Sequence, residues 1–264
     1  MRPDYKNWVP KSMVIGLAAA SCAAIILFIL FGALDLILHG TARLICAVVF
    51  GAAALVLLGF AVWMYILHKT FDYNGKRKLS KTIVEGTADY VHIPDGGIGL
   101  DVGCGSGALT IACAKRNPNA VMVGCDIWSG AYKAVFTKEL CEKNAAAEGV
   151  SNVRFEEGNA VKLPFPDESF DAVTSNYVYH NITGKDKQQL LLETLRVLKK
   201  GGAFAIHDLM SKARYGDMDA FVRRLKEEGY EEVRLIDTAD GRFMDKKEAV
   251  WLGLGGSTLL VGKK

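Results

Sequence analysis

Two long stretches without a charge, followed by a regular alternation of short apolar runs and amphipathic segments, divide this chain of 264 residues. Residues 13–34 and 44–67 carry no Asp, Glu, Lys, Arg or His and are almost wholly apolar. Each is long enough to cross a hydrocarbon core ~30 Å thick, which takes about 20 helical residues. The link 35–43 is too short for a domain, so the pair predicts an antiparallel helical hairpin. A cleaved leader is the alternative for the first run; its length, and the second run so close behind it, argue against cleavage. Gly16, Ala20 and Ala24 recur at four-residue spacing, as do Ala47 and Gly51. Such rows permit close helix approach, although apolar spans are rich in small residues in any case.

Beyond residue 90 the pattern changes to that of an α/β fold. Strands are predicted near 98–102, 120–125, 152–156, 171–175, 202–207, 231–236 and 257–262. Helices are predicted near 75–91, 107–117, 129–148, 185–199 and 214–229. This alternation is what a parallel sheet requires. Asn117-Pro118 stops the first crossover helix, since proline restricts its predecessor, and Gly201-Gly202 does the same before the fifth strand. The expected organisation is a membrane anchor over 1–68, a juxtamembrane linker and helix over 69–97, and a catalytic-type domain over 98–264. Residues 71–81 read either as a lid or as an anchor of aromatics and lysines. The link 240–256, with Phe243, Met244, Trp251 and Leu252, either dips toward a membrane or merely joins the last two strands.

Charge sharpens this division. The whole chain is +3; residues 1–81 carry +6 and the remainder −3. The basic residues flank the two apolar runs on their outer sides, while Asp35 and Arg43 cancel in the link. By the positive-inside rule, both ends and the domain are expected on the cytoplasmic face of a cell (inner) membrane. A basic tether also attracts anionic headgroups, by about 1 kcal/mol per residue. The domain lacks a basic stripe interleaved with aromatics, so nucleic acid is not an expected partner. The six cysteines include no C-x-x-C pair or Cys/His cluster, so no metal site is expected and reduced thiols are.

The most specific chemistry lies in Gly99-Leu-Asp-Val-Gly-Cys-Gly-Ser-Gly107, a strand running into a glycine-dense turn and then a helix. Glycines there let the backbone bend tightly and approach a ligand, and the helix directs free N–H groups at it. Gly103, Gly105 and Ala108 also satisfy a dinucleotide fingerprint. Asp101, however, stands inside the strand, where a carboxylate suits a ligand bearing an ammonium group better than a pyrophosphate. Asp126 ends the next strand, placed to accept from ribose hydroxyls.

These pieces resemble a class I S-adenosylmethionine-dependent methyltransferase, near the ubiquinone and menaquinone C-methyltransferases. The resemblance rests on Leu100–Gly107, Gly124-Cys-Asp126, Glu157-Gly-Asn-Ala160 with Leu163-Pro-Phe-Pro-Asp167, Ser169–Ser175 and Arg196–Gly202, in that order. It implies a Rossmann-like seven-stranded sheet whose last strand is antiparallel and inserted beside the fifth. It also implies S-adenosylmethionine as cofactor and S-adenosylhomocysteine as product. Asp101, Gly103, Cys104, Gly105, Ser106 and Gly107 would hold the methionine moiety and Asp126 the ribose. Ile127 and Trp128 would cover the adenine, with Asn159 and Ala160 at its edge. Asn159 stands where the family more often has Asp. Asn176 ends the fourth strand and faces the ligand crevice. Candidate bases or orienting groups gather at the ends of strands four and five: Tyr177, Tyr179, His180, His207 and Asp208. Tethering such an enzyme favours an acceptor that partitions into the bilayer: a quinone-like ring, a lipid headgroup, or an apolar thiol or amine. A membrane-bound NAD(P)-dependent oxidoreductase and a non-catalytic cofactor-binding module are the alternatives.

Overall fold

The computed structural model describes residues 2–128 and 135–264. The chain forms two compact units: Lys6–Ser80, and Met1–Tyr5 together with Lys81–Lys264. The expected linker 69–97 is thus shared, 69–80 going with the helical unit and 81–97 with the later one, which also takes the first five residues.

The Lys6–Ser80 unit is a helical hairpin. Helix α1 (Lys11–Phe28) runs into a π-helical turn (Ile29–Ala33), and α2 (Gly40–Phe71) returns. Both arms are long and apolar enough to cross a membrane. Their outer faces carry exposed Ile15, Leu44, Val48 and Leu55. Where the arms meet, a Cβ on Gly32 would lie 2.5 Å from the Cα of Ala47. Ser21 donates to the Ala54 carbonyl at 3.1 Å, and Ala24, Ala54 and Ala61 are buried. Of the small residues singled out above, Ala24, Ala47 and Gly51 serve this contact, whereas Gly16 and Ala20 face outward. At the open end, Asn7 donates to the His68 carbonyl at 2.7 Å and Trp8 stacks near Phe71.

The larger unit is built on seven strands: β1 (Ile98–Val102), β2 (Val121–Asp126), β3 (Val153–Glu157), β4 (Phe170–Asn176), β5 (Leu198–Leu209), β6 (Glu231–Asp237) and β7 (Ser257–Lys263). Their order is β3-β2-β1-β4-β5-β7-β6. β7 is antiparallel to both neighbours, as the resemblance implies. This departs from the 3-2-1-4-5-6 order of a dinucleotide-binding sheet. Helices α3 (Leu79–Ala88), α4 (Ala108–Arg116), α5 (Lys138–Ala147), α6 (Lys187–Arg196), α7 (Lys212–Tyr215), α8 (Met218–Glu227) and α9 (Lys246–Trp251), with a 3₁₀ turn at Tyr179–Asn181, complete the described elements. One sheet face packs Val102, Val173, Phe204, Ile206 and Leu260 against Leu191 and Leu195 of α6 and Phe221 and Leu225 of α8.

Three expectations need adjusting. The helix expected over 129–148 starts at Lys138, because the Thr137 hydroxyl caps it by accepting from Leu140 N–H; residues 129–134 lie outside the described ones. The short helices α7 and α9 have too few turns to show a period in the sequence. In the 240–256 link, Phe243, Met244 and Leu252 are buried within the unit. That segment is a packed connection, with Val250 and Trp251 as its exposed apolar side chains.

Candidate functional site

Strand order reverses between β1 and β4, so the chain leaves their carboxyl ends in opposite directions and opens a crevice where ligands of such sheets bind. The glycine turn leaves β1 here. Gly103, Gly105 and Gly107 all take positive φ, at +73°, +55° and +81°, which side-chain-bearing residues adopt only under strain. A Cβ at Gly103 would collide with Val178, which follows β4, at 2.3 Å; at Gly105 it would meet open space. Gly103 therefore permits packing, whereas Gly105 presents bare backbone.

Hydrogen bonds fix the turn from several sides. Gly103 and Cys104 N–H groups both donate to the Cys125 carbonyl, at 2.8 and 3.1 Å. Gly105 N–H donates to Asp126 Oδ2 at 2.9 Å. Its carbonyl accepts from the Trp128 indole at 3.1 Å and from the Cys141 thiol at 3.2 Å. The Trp128 indole N–H thus latches the turn, and this residue takes φ +35°. Burial pushes the Cys104 thiol well above its ordinary pKa, which makes it a packing group and not a nucleophile. Ser106 is buried. Gly107 opens α4 in the left-handed conformation with no side-chain cap, which leaves that helix's first N–H groups directed at the crevice.

The acids divide into two roles. Asp126 accepts from Gly105 and Trp128 N–H groups, one on each oxygen. A carboxylate offers about four lone-pair sites, so two remain for a diol. Exposed Ile127 beside it adds an apolar surface. Asp101 is 1% exposed, with Thr110 donating to one oxygen at 2.7 Å and Thr174 to the other at 3.0 Å. Burial raises its pKa to about 7 in spite of those bonds. It can act on a ligand as an interior charge, not as an exposed contact. Past β3, Asn159 is exposed and accepts from Val161 N–H at 2.9 Å, closing its own turn, while Ala160 is buried. Bare glycine backbone, a free helix start, an acid suited to a diol and a neighbouring apolar side chain together fit an adenosyl amino-acid cofactor.

Across the crevice stand the ends of β4 and β5. Asp208 is fully buried yet held below the usual carboxylate range; hydrogen bonding and charge from His180, with backbone donors, outweigh the cost of burial. It accepts from Tyr179 and Leu209 N–H groups at 2.8 and 2.6 Å and pairs with His180 Nδ1 at 2.6 Å. That bond orients the imidazole, whose side chain is 20% exposed. Tyr177 takes φ +55° at the strand end. Its ring meets His180 edge-on at 6.0 Å, and its hydroxyl pairs with Ser257 at 2.6 Å. Burial raises the pKa of this phenol and of the Tyr179 phenol.

His207 and Asn176 take a different part from the one the sequence assigns them. They are register partners on adjacent strands, and His207 Nδ1 meets Asn176 Oδ1 at 2.9 Å. His207 Nε2 meets Thr238 at 2.8 Å, and the ring is fully buried. Desolvation pushes its pKa down to about 3. Both nitrogens are engaged inside the fold, so His207 is a neutral brace and Asn176 its partner. A separate groove of about 610 Å³ opens at the opposite ends of the strands, past Asp171, Lys200, Gly201, Gly202 and Lys263, away from the Gly103–Gly107 turn.

Residues 100–206 match a family profile described as a methyltransferase domain. The uncharacterised methyltransferase YcgJ of Bacillus subtilis is 36% identical over 112 residues, covering 41% of this chain and 39% of its own length. A demethylmenaquinone methyltransferase of Deinococcus radiodurans is 38% identical over 107 residues, covering 40% of this chain and 41% of its own. The matches thus span about two fifths of these relatives. Among solved structures, geranyl diphosphate C-methyltransferase from Streptomyces coelicolor superposes with a TM-score of 0.52 at 15% identity, covering 74% of this chain and 86% of its own. The [4+2]-cyclase SpnF gives 0.52 at 19%, covering 73% and 85%. At these identities the structural likeness is one of fold.

Proposed function

We propose that this chain, whose residues 100–206 form a class I S-adenosylmethionine-dependent methyltransferase domain, methylates a lipophilic small molecule at a membrane. Bound S-adenosylmethionine supplies an activated methyl group on a sulfonium and leaves as S-adenosylhomocysteine. The backbone of Gly103–Gly107 and the start of α4 hold its amino-acid end. Asp126 accepts from the ribose hydroxyls, Ile127 lies along the adenine, and Asn159 and Ala160 border it. Asp101 offsets positive charge from within.

The observation that carries the reading is the pairing of that turn with an oriented imidazole across one crevice. Val178 packs on Gly103, and two residues later His180 is steered by ionised Asp208. His180 takes the proton that a phenol, thiol, amine or activated carbon must lose as it accepts a methyl group. Tyr177 shapes the acceptor side. Alignment of the acceptor near 3 Å supplies much of the remaining rate.

The membrane setting is supported by two helices of spanning length and by the basic residues that flank them. The chain leaves the larger unit after Tyr5 and re-enters it at Lys81, a path that suits a two-span hairpin with both ends on one side. The positive-inside rule makes that side cytoplasmic. A relative is named for a quinone substrate, which supports an apolar acceptor.

Incubating the full-length protein with methyl-labelled cofactor and a total lipid extract tests this directly. Label should enter the organic phase. Label confined to water-soluble or protein fractions would overturn the lipophilic acceptor. Calorimetry should show S-adenosylhomocysteine binding and NADPH not binding.

A further inference from the structure

The segment Arg2–Tyr5 precedes the first long apolar helix, yet it lies on the cofactor turn of the larger unit. Asn144 of α5, only 2% exposed, grips the backbone of this segment from both sides: its Oδ1 accepts from Asp4 N–H at 2.7 Å, and its Nδ2 donates to the Asp4 carbonyl at 3.0 Å. The same Nδ2 donates to the carbonyl of Ser106 at 2.9 Å. Ser106 in turn donates its hydroxyl to the Tyr5 carbonyl at 2.9 Å. Tyr5 is 6% exposed, and its phenol donates to Glu148 at 3.2 Å. The middle residue of the Gly105-Ser106-Gly107 turn is thus tied to the chain terminus through its side chain and, by way of Asn144, through its carbonyl.

We infer that Asp4–Tyr5 is a positioning strap for the donor site, on which cofactor affinity depends. This deepens the proposed methyltransferase reading and rests on it. The turn spends three glycines in left-handed conformations, and glycine loses more backbone freedom on ordering than any other residue. A turn left to sample other shapes binds in proportion to the fraction that is competent. The strap raises that fraction by holding Ser106 between two fixed partners. Without it, the buried Asn144 Oδ1 loses its donor and the Ser106 hydroxyl its acceptor, and a buried polar group left unmade is costly. No strap atom touches the reacting groups; the segment acts through Ser106.

The signature is reciprocal. If the closed strap favours cofactor binding by some factor, bound cofactor favours the closed strap by the same factor. The test uses the full-length chain in lipid nanodiscs with S-adenosylhomocysteine as probe. Asp4→Pro removes one strap N–H without touching the turn. It should weaken binding about five- to tenfold, the scale of one charge-free hydrogen bond with its buried partner orphaned. In the unaltered chain, saturating S-adenosylhomocysteine should slow hydrogen exchange at the Asp4 amide several-fold, a reading that does not require the variant to fold. Unchanged affinity in Asp4→Pro, with Asp4 exchange indifferent to the probe, would overturn the strap while leaving the cofactor site intact. Failure of the unaltered chain to bind the probe would sink the site itself, and the strap with it.

Discussion

Asp101 and His207 each reverse the charge state that water would give them, and in opposite senses. Free Asp ionises near 3.9 and free His near 6.5. Folding holds the proton on Asp101 to about 7 and keeps one off His207 down to about 3. Between pH ~4 and ~6.5, Asp101 makes the native state bind one more proton than the unfolded chain, so its contribution to stability falls as pH rises. His207 makes the unfolded chain bind one more, so its contribution rises with pH. The two cancel across that window. Asp101→Asn removes one side of the balance: the stability difference between variant and parent should climb with pH at about 1.4 kcal/mol per unit, measured by denaturant melts from pH 4 to 6.5. A flat difference curve would refute the buried-proton assignment. The same variant should bind S-adenosylhomocysteine more weakly at pH 8, where the parent carboxylate is ionised. His180 belongs to another class. On the proposed reading, His180→Ala should cut turnover by about 10²–10⁴-fold while S-adenosylhomocysteine affinity stays within about twofold, because the imidazole is held by Asp208 and not by the glycine turn. The sequence places His180 and His207 on equal terms, since each stands near the end of an apolar strand. Only three-dimensional register reveals that one nitrogen pair is spent on Asn176 and Thr238.

At the scale of elements, the central strands were legible as short apolar runs bounded by glycine, proline or charge, whereas β3 and β6 alternate apolar and charged positions. The antiparallel seat of β7 was legible only through family resemblance, since strand periodicity carries no direction. The same limit hid α7 and α9, which have at most six residues. In the hairpin, four-residue spacing correctly flagged small residues but not which of them touch. Gly16 and Gly32 look alike in sequence, and Gly32 alone lies against a backbone. The glycine turn permits a sharper experiment. Gly103→Ala puts a methyl into Val178 and strains a φ of +73°, so it should unfold the crevice, with loss of both stability and binding. Gly105→Ala meets open space and pays about 1–2 kcal/mol for its left-handed backbone. It should stay folded and lose affinity, because its methyl stands where a ligand approaches. Melting and calorimetry on the pair separate these outcomes; equal loss of stability in both would contradict the distinction.

For the whole molecule, a hydropathy pattern read without any coordinates predicts spans, and the hairpin's apolar exterior agrees with it. Ile15, Leu44, Val48 and Leu55 are each more than half exposed, a surface that soluble proteins rarely leave contiguous. The full chain should sediment with membranes and resist extraction by alkaline carbonate. Release into the soluble fraction would remove the membrane setting and the argument for an apolar acceptor with it. Fold likeness alone does not secure the chemistry, because a cyclase shares this architecture. The oriented imidazole across from the donor turn is what ties the reading to this chain's own residues.

One bond has a bearing on biosynthesis. Asp4 and its partner Asn144 are separated by 140 positions, so the ribosome releases the first long before it makes the second. During that interval both apolar helices emerge. Closing so long a loop is slow relative to local helix formation. The terminus therefore docks among the last events of maturation, and newly made chains should acquire donor binding later than they acquire helical content.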